Sequence, residues 1–377
     1  MSFRRLKAVT KKELLHIVRD VRSLILALAQ PLLMLLLFGY ALTLDVDRIP
    51  TYVYDQDKTP QSRELIDQFR GSRYFQIVDT GNSYRPIDRG IDKSAILLGV
   101  VVPRDYARHL LEGQQADVQL LVDGSDSNTA SIALGYAQII VQNYAAELRS
   151  EAQIRKGGQP LRVPVEPRIR VWYNSDLKSK NYIVPGLIAV TMMIIASLLS
   201  SLCIAREWEN GTMEQLLSTP VRPGELVLGK LLAYFALGIV DLLICLIVGV
   251  FIFQVPFRGN AMLLLFTSCL FLFGALSWGI FLSATTRTQL LAYQLGTLSS
   301  FLPAYLLSGF IYSIQDMPKV IQLISVIVPA RYFVKILNGI FLKGVGGRFL
   351  WFEILMLLAY AGLTFWGASR KMRQKLA

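Results

Sequence analysis

The sequence predicts an α-helical integral membrane protein with six transmembrane helices and a large mixed α/β external domain inserted between helices 1 and 2. Three observations support this prediction. Of the 377 residues, 53% are hydrophobic, and they concentrate in runs of about 20 residues, the length that crosses a bilayer. A long polar stretch separates the first run from the second. The basic residues flank the apolar runs, as in proteins that obey the positive-inside rule.

Six apolar runs are long enough to cross a membrane. They are 23–44, 183–204, 231–253, 261–283, 290–314 and 349–369. The first is too long for a signal-peptide core and no small-residue cleavage site follows it, so we expect an uncleaved anchor. The runs divide the chain into an N-terminal arm (1–22), an external domain (45–181), a transmembrane domain (182–369) and a basic tail (370–377).

Charge gives the orientation. Segment 45–181 holds eighteen Lys and Arg against eighteen Asp and Glu, so the formal net charge of +12 lies elsewhere. Much of it is in the arm and the tail, which places both termini in the cytosol. Nucleic acid is therefore not an expected partner. Counting spans then places Gly81 and Gly157 outside, and Asn210 and Thr288 inside.

The N-terminal arm, residues 2–22, has the pattern of an amphipathic helix. Its apolar stripe comprises Phe3, Leu6, Val9, Leu14, Ile17, Val18 and Val21. Such a helix lies in the membrane interface, with its basic side chains at anionic headgroups. The competing interpretation is a helix that binds a partner, as calmodulin targets do. Direct attachment to the first apolar run favours the interfacial position.

Segment 45–181 alternates strand and helix patterns and is long enough to bury its own core. The predicted strands are 51–54, 74–78, 95–102, 118–122 and 167–173. The predicted helices are 61–70, one that begins at Pro103, and 131–155.

The polar stretch 205–230 lies between two apolar runs and predicts a short cytosolic helix. Thr212 is the expected N-cap, and Gln215 stands three residues later as in a capping box. The apolar residues Met213, Leu216 and Leu217 share one face. Pro220 ends the helix. Such a helix is suited to contact another protein, and the alternative is an ordinary connector.

Segment 315–348 contains an apolar stretch, 320–328, that is too short to cross the bilayer. Pro318 and Pro329 bracket it, and five basic residues accompany it. We expect a re-entrant or interfacial hairpin on the external side. The alternative is a simple external segment, because late positive charge is tolerated once earlier spans have set the orientation.

The residues that enzyme and metal sites require are scarce. His16 and His109 are the only histidines, and the predicted topology puts them on opposite sides of the membrane, which excludes a site built from both. The three cysteines form no Cys-x-x-Cys pair, so we expect no disulfide framework and no metal site.

Residues 224–230 match the first seven positions of a P-loop. Leu231 replaces the Ser or Thr that would hold Mg²⁺, and no strand precedes the match. We therefore expect no nucleotide site and no bound cofactor in this chain.

Asp241 is the one acid well inside a predicted span, where a carboxylate costs about 2.5–3.5 kcal/mol on insertion scales. A functional interpretation makes it a substrate or proton contact in a translocation path. The structural alternative is a hydrogen bond to a Ser, Thr or Tyr of a neighbouring span.

Several motifs resemble one family over essentially the whole chain. They are Tyr54-Asp-Gln-Asp57, Val102-Pro-Arg-Asp105-Tyr, Asp123-Gly-Ser-Asp-Ser-Asn128, Trp172-Tyr-Asn174, Val184-Pro-Gly186, Leu307-Ser-Gly-Phe310, Asp316-Met-Pro318, Pro329-Ala-Arg-Tyr-Phe333 and, most specific, 205–220. Together with the order of arm, span, external domain and five spans, they resemble the permease subunits of ABC-2-type (type V) exporters. The likeness is to the bacterial YbhS/YbhR/YhhJ-like multidrug exporter permeases, and most of all to the YbhS type.

The resemblance implies a division of labour in the bacterial inner membrane. Two permease chains, identical or paralogous, form the path, and separate ABC ATPase subunits bind ATP and Mg²⁺. An adaptor protein in the periplasm is common in such systems, and exported substrates include drugs, lipids, polysaccharides and ions. We expect a drug, a lipid-like molecule or another amphipathic compound here.

The resemblance also implies roles for particular residues. The coupling helix that docks on the ATPase would use Glu207, Glu209, Gly211, Thr212, Met213, Glu214, Leu216, Leu217 and Pro220. The external hairpin that gates the exit would use Pro318, Pro329, Arg331 and Tyr332. The glutamates would pair with basic residues of the ATPase or orient the spans.

Two other function classes remain as alternatives. A membrane-anchored sensor or scaffold would bind a ligand through the external domain, but it would need few spans and a cytosolic output domain. A secondary transporter would use Asp241 and would carry inverted repeats, which the sequence does not reveal.

Overall fold

The computed structural model describes residues 2–41, 47–155, 172–174, 178–286 and 288–376. The chain forms two compact units, one from residues 44–170 and one from residues 1–43 together with 171–377. The helices are α1 (Phe3–Arg19), α2 (Val21–Ala41), α3 (Pro60–Gly71), α4 (Arg85–Asp92), α5 (Tyr106–Leu111), α6 (Ser127–Arg155), α7 (Lys180–Glu209), α8 (Thr212–Leu217), α9 (Pro223–Ile247), α10 (Ala261–Thr285), α11 (Gln289–Leu306), α12 (Lys319–Ser325), α13 (Pro329–Asn338) and α14 (Trp351–Leu376). The strands are β1 (Ile49–Asp55), β2 (Phe75–Gly81), β3 (Leu98–Val102) and β4 (Gln119–Val122).

The 44–170 unit is a small α/β fold. Its sheet has the order β2-β1-β3-β4, in which β1 runs parallel to β2 and β3, and β4 runs antiparallel to β3. All five residues of β3 are buried, as expected for a central strand covered on both faces. Val53, Phe69 and Val100 belong to the larger core cluster, and Ile87 belongs to a smaller one with Tyr52 and Val101. The predicted α/β character is therefore present, while the external position stays a prediction.

Several element boundaries in this unit differ from the predicted ones. The helix expected from Pro103 begins at Tyr106, and the helix expected from Ser131 begins at Ser127. Asp126 accounts for that earlier start, because its carboxylate accepts hydrogen bonds from the backbone N–H groups of Asn128 and Thr129. Helix α4 was not expected. The strand predicted over 167–173 and the loop at Gly157 fall mainly or wholly outside the described residues.

The second unit is helical and is built around α7. Residues along its whole length are buried, from Ile183 to Glu207. Glycines let neighbouring helices approach closely: a Cβ added at Gly279 of α10 would lie 1.9 Å from Ser200 Oγ, and one at Gly296 of α11 would lie 2.7 Å from Ser201 Oγ. Small residues at such crossings are typical of helices packed in a membrane.

Within the described residues, four helical segments are long and apolar enough to cross a membrane. They are Lys180–Glu209, Pro223–Ile252, Ala261–Thr285 and Trp351–Arg373. The predicted spans 23–44 and 290–314 correspond to α2 and α11, which are not among these four. Within the described residues, α2 contributes the shorter apolar helix Ala27–Ala41. A six-span membrane protein therefore stays a prediction. The described residues contain a mainly helical unit with four helices that could cross a membrane, or five if the bent pair described next is one span.

Helices α12 and α13 are the bent part of this unit. The segments Lys319–Ser325 and Pro329–Lys343 meet at 85°, an angle that fits either a broken span or a re-entrant loop. Their last turn, Gly339–Lys343, is π-helical.

Candidate functional site

The connector between α7 and α9 is shorter than the sequence indicated. Helix α7 continues to Glu209 and α9 begins at Pro223, so residues 210–222 alone form the connector. Gly211 ends α7 in the left-handed conformation, with φ +69°, and directly precedes α8. Gly211 therefore takes the N-cap place, and the predicted Thr212–Gln215 capping box is wrong. Thr212 Oγ1 instead donates to the carbonyl oxygen of Glu207 at 3.4 Å.

Helix α8 turns its apolar side into its own chain. Met213 is fully buried in the core cluster of the helical unit, and Leu216 is partly buried against the same cluster. The expectation that Met213 faces a partner is therefore wrong. The side chain of Leu217 lies outside the described part. The outward surface of the connector is polar, with Glu214, Gln215 and Ser218 exposed.

The glutamates at the end of α7 have partners within the chain. Glu209 Oε2 accepts a hydrogen bond from the backbone N–H of Gln289, at 2.7 Å, at the first turn of α11. Glu207 is buried, and its Oε1 lies 2.9 Å from Lys230 Nζ. Of the two roles expected for these acids, Glu207 is therefore placed to orient helices, and it does not face a partner.

A cluster of four charges joins α1, α7 and α9. Lys230 is fully buried, and its Nζ lies 2.9 Å from Glu13 Oε1 as well as from Glu207. Lys12 closes the cluster from its exposed side, 3.2 Å from Glu13 and 2.7 Å from Glu207. Two cations and two anions balance, which removes the isolated charge that would be costly in a buried site.

Sequence reasoning missed this cluster, although two signals pointed to it. Glu13 stands on the apolar stripe of the N-terminal arm, four residues from Val9 and from Ile17. Lys230 stands between apolar residues, directly before the apolar run 231–253, where a lysine needs an acidic partner. It was considered only as part of the rejected P-loop match.

The same helix α1 is attached to the connector at its beginning. The backbone N–H of Ser2 donates to Glu225 Oε1 at 2.6 Å, and Arg5 lies 3.6 Å from Glu225 Oε2. Arg5 also donates to the carbonyl oxygen of Pro220. Midway along the helix, Val9 packs against Gly229, where an added Cβ would lie 2.7 Å away.

Helix α1 thus lies along α9 from the connector to the start of α2. Only part of the predicted apolar stripe is free for a membrane surface: Val9 is buried, while Phe3 and Val18 are exposed. Burial by itself would raise the pKa of Glu13, but Lys230 and Lys12 outweigh it, so the pKa lies below its ordinary value.

Asp241 is buried in α9, and its carboxylate oxygens have no hydrogen-bond partner among the described residues. The predicted bond to a neighbouring Ser, Thr or Tyr is therefore absent from the described part of the chain. Ser268 of α10 is also buried, and its hydroxyl likewise finds no described partner.

The register of the two helices puts these groups at one level. Gly238 of α9 meets Leu272 of α10, since an added Cβ would lie 2.7 Å from Leu272 Cδ1. Helix α9 runs antiparallel to α7, because Glu207 pairs with Lys230 at one end of α7 and Ile188 approaches Gly249 at the other. Helix α10 runs parallel to α7, because Gly279 approaches Ser200 and Ser283 bonds to Ile204 one turn further along both helices. Helices α9 and α10 are therefore antiparallel to each other. Asp241, one turn past Gly238, and Ser268, one turn before Leu272, therefore lie at similar depth on the contacting faces.

The bend between α12 and α13 is held by two of the predicted gate residues. Arg331 Nη1 donates to Ser325 Oγ at 2.7 Å and to the carbonyl oxygen of Gln322 at 3.2 Å. Tyr332 Oη donates to the carbonyl oxygen of Val326 at 2.8 Å. Pro318 precedes α12 and Pro329 opens α13, so all four predicted residues lie at the ends of the two helices.

Comparison with known proteins identifies the family. The family model described as "ABC-2 family transporter protein" matches residues 21–370. The chain belongs to this ABC-2 transporter family. It is 36% identical to "Probable multidrug ABC transporter permease YbhS" of Escherichia coli (strain K12), over 99% of this chain and 98% of that protein. It is 33% identical to "Probable multidrug ABC transporter permease YbhR" of the same organism, over 99% and 100% of the two chains. It is 29% identical to "Inner membrane transport permease YhhJ", over 87% and 86%.

The resemblance drawn from the motifs is thus confirmed. As an ABC-2 family member, the chain is the membrane permease of an ABC exporter, a transport subunit whose ATPase is a separate protein. Among the described residues no group of three or more His, Cys, Asp and Glu could hold a metal ion.

Proposed function

We propose that this permease exports drugs, lipid-like molecules or other amphipathic compounds, working as a homodimer or a heterodimer with a paralogue. In the proposal, ABC ATPase subunits bind from the cytosol, and both termini lie on that side of a bacterial inner membrane. A periplasmic adaptor extends the path where the system has one. The names of the relatives support the substrate class, since two of them include the word multidrug.

The observation that carries the proposal is the attachment of the connector 210–222 to three helices. It joins α7 to α9 directly. Arg5 attaches α1 to its far end at Pro220, and Ser2 and Arg5 also attach α1 to Glu225 in the first turn of α9. The connector therefore has little freedom to move alone. A force applied by an ATPase on its exposed polar side would be transmitted to α7, α9 and α1 together.

The docking surface in this proposal differs from the apolar face that the sequence suggested. Because Met213 is buried, contact with the ATPase would use the exposed polar side chains, among them Glu214 and Gln215. Charge on such a surface sets specificity and association rate. The hairpin of α12 and α13 would close the external exit.

ATP-driven transport tests the proposal. Everted membrane vesicles that contain the permease and its ABC ATPase should accumulate a fluorescent cationic or lipid-like dye when ATP is added. An ATPase variant that lacks its P-loop lysine is the matched control and should give no accumulation. Uptake that persists with this variant would contradict the proposal.

One observation favours a second candidate, a secondary transporter that uses Asp241. Its buried carboxylate without a described partner is the kind of group on which proton-coupled carriers depend. Dye uptake driven by a pH gradient without ATP, and lost in Asp241→Asn, would support this candidate over the ABC mechanism.

A further inference from the structure

A recess of about 790 Å³ lies in the helical unit between the start of α9 and the end of α14. Residues 222–225 line it on one side, and Trp366, Ser369, Arg370 and Arg373 line it on the other. The α14 residues are three, four and seven positions from Trp366, so they lie on one face of that helix. The recess is thus the place where this face meets the first turn of α9.

Three guanidinium groups, those of Arg222, Arg370 and Arg373, gather at this recess. Among the residues that the structure describes, no carboxylate lies within ion-pair distance of any of them. Arg370 lies over the ring of Trp366, 5.1 Å from its centroid, and a guanidinium stacked in this way keeps its N–H groups available. The hydroxyl of Ser369 is buried and likewise finds no described partner. The recess therefore offers several hydrogen-bond donors that the chain itself does not use.

The one acid of the recess is already engaged by the chain. Glu225 is fully buried, and its Oε1 accepts a hydrogen bond from the backbone N–H of Ser2 at 2.6 Å. Its Oε2 accepts from the backbone N–H of Arg222 at 3.1 Å and lies 3.6 Å from Arg5 Nη1. Because Arg5 offsets the charge of Glu225, the three guanidinium groups leave the recess positive. It suits an anion and disfavours an ammonium group.

The surroundings of the recess indicate which kind of anion. Trp351–Arg373 is one of the four helical segments that could cross a membrane, and the arginines stand at its end. On the same side of this helix, Trp366, Leu363 and Leu355 are exposed, and an added Cβ at Gly362 would meet nothing within 4 Å. An apolar strip that leads to a basic recess matches an amphipathic anion. Basic pockets between membrane helices are suited to anionic lipid headgroups.

We propose that this recess binds the phosphodiester headgroup of an anionic phospholipid, with an acyl chain along the exposed apolar strip of α14. The lipid belongs to the cytosolic leaflet, an assignment that rests on the orientation given under the proposed function. Binding to the purified chain does not depend on that orientation, so the two can fail separately. Since α9 begins directly after the connector 210–222, a bound lipid would hold the end of α14 against the helix that the connector moves.

Native mass spectrometry of the full permease, delipidated in detergent and titrated with lipids that share two oleoyl chains, tests the proposal. Phosphatidylglycerol should occupy one tight site per chain. Phosphatidylethanolamine and phosphatidylcholine should bind about tenfold more weakly, because their ammonium groups would lie among the guanidinium groups. Glycerophosphoglycerol, the same headgroup without chains, should not displace phosphatidylglycerol at equal concentration.

Two variants of different kind locate the site. Arg370→Gln with Arg373→Gln should weaken phosphatidylglycerol binding about a hundredfold, at about tenfold for each lost charge-assisted hydrogen bond. Gly224→Asp adds a negative charge to the recess and leaves every arginine in place. It should fold normally, because its Cβ has open space and an acid is favourable in the first turn of a helix, and it should bind about tenfold more weakly. The matched control, Lys7→Gln with Lys11→Gln, removes two exposed basic residues of α1 and should bind as the unmodified chain does.

The proposal is overturned if phosphatidylethanolamine binds as tightly as phosphatidylglycerol, or if Gly224→Asp, folded by size-exclusion and thermal unfolding, keeps the tight site. Displacement by glycerophosphoglycerol would show that the recess takes a free phosphodiester and not a lipid. Equal losses in the arginine and lysine pairs would show general attraction of lipid to basic residues. If the arginine pair instead keeps the lipid and loses co-purification with the ABC ATPase, the recess is a protein contact.

Discussion

Lys230 shows how a buried charge can join helices that are far apart in sequence. Its ammonium group contacts acids from α1 and α7, and the positive charge of Lys12 prevents an excess of negative charge. A buried ion pair adds little net stability over apolar packing, yet removing one partner is costly. The cluster therefore specifies how α1 docks more than it stabilises the fold.

Lys230→Met should lower the free energy of unfolding by roughly 3–5 kcal/mol, because Glu13 and Glu207 are left buried without their central partner. Thermal unfolding in detergent measures this. Lys319→Met, which replaces an exposed lysine of α12, is the control and should change little. The triple variant Glu13→Gln, Lys230→Met, Glu207→Gln should recover much of the loss; an equally unstable triple variant would mean that packing, and not charge, is responsible.

Asp241 should support transport and lower the stability of the protein. Asp241→Leu removes a buried carboxylate without a described partner and should make the protein more stable, while Asp241→Leu and Asp241→Asn both lower export. ATPase docking should be unchanged in both. Paired measurements of unfolding temperature and dye export test this, with Asp316→Asn as an exposed control. Normal export by Asp241→Asn would leave the residue with a structural role.

Among the helices, α1 is attached to the rest of the unit at two places. Its beginning is held at the connector by Ser2 and Arg5, and its middle by Val9 and Glu13. The sequence predicted this helix and its amphipathic pattern. It could not predict docking along α9. Glu13 and Lys230 each stand among apolar residues and so indicate a missing partner, but they are 217 positions apart and nothing local pairs them.

The docking of α1 should resist acid until Glu13 is protonated. Since the pKa of Glu13 in the folded state lies below the ordinary 4.5, its contribution is complete above that pH and is lost as the pH falls through the folded pKa. Electron–electron distance measurements between spin labels at Lys11→Cys and Thr219→Cys, in a cysteine-free background, should be constant from about pH 8 to 5 and broaden only below 4.5. Broadening near pH 6 would contradict this assignment.

The connector helix α8 gives a prediction that separates docking from folding. Glu214→Arg reverses an exposed charge and should weaken binding of the ABC ATPase about tenfold, or ~1.4 kcal/mol, while the permease stays folded. Met213→Asp should instead destabilise the permease itself, because Met213 is fully buried. Glu112→Arg, an exposed acid of the 44–170 unit, is the control. Full ATPase binding by Glu214→Arg would leave α8 as a connector only.

The sequence predicted that the connector contains a short helix, but not which face of that helix is buried. The spacing of the apolar residues Met213 and Leu216 and the stop at Pro220 are local signals, so a short helix before Pro220 could be predicted from the sequence. The packing of α7 and α9 decides which face of α8 is covered. The apolar pattern of Met213 and Leu216 is therefore the same whether that face docks on a partner or packs into the core. The sequence could not distinguish them.

For the molecule as a whole, apolarity along the chain predicted the helices better than their number of membrane crossings. Pro223–Ile252 is one apolar segment, whereas α11 is not among the four helices that meet the length and apolarity standard, and α2 enters the comparison only through Ala27–Ala41. Both helices pack on α7 with one face and expose apolar side chains on another, among them Leu33 and Leu37 of α2 and Leu290 of α11. Exposed apolar side chains are compatible with lipid contact, so the crossing of the membrane by α2 and α11 stays a prediction.

The orientation of the whole chain can be tested by labelling single cysteines in intact cells. Gly81, the first position suggested by the sequence, is unsuitable because a Cβ there would lie 1.6 Å from Tyr52 Oη, whereas Ser83 is exposed. In a background without Cys203, Cys245 and Cys269, an impermeant thiol reagent should label Ser83→Cys, since the span count and flanking charge put that unit outside. Asn210→Cys and Thr288→Cys should label only after the membrane is opened, because both would lie where the ATPase binds. Labelling of Asn210→Cys in sealed cells would reverse the orientation and, with it, remove the connector from the compartment that holds ATP.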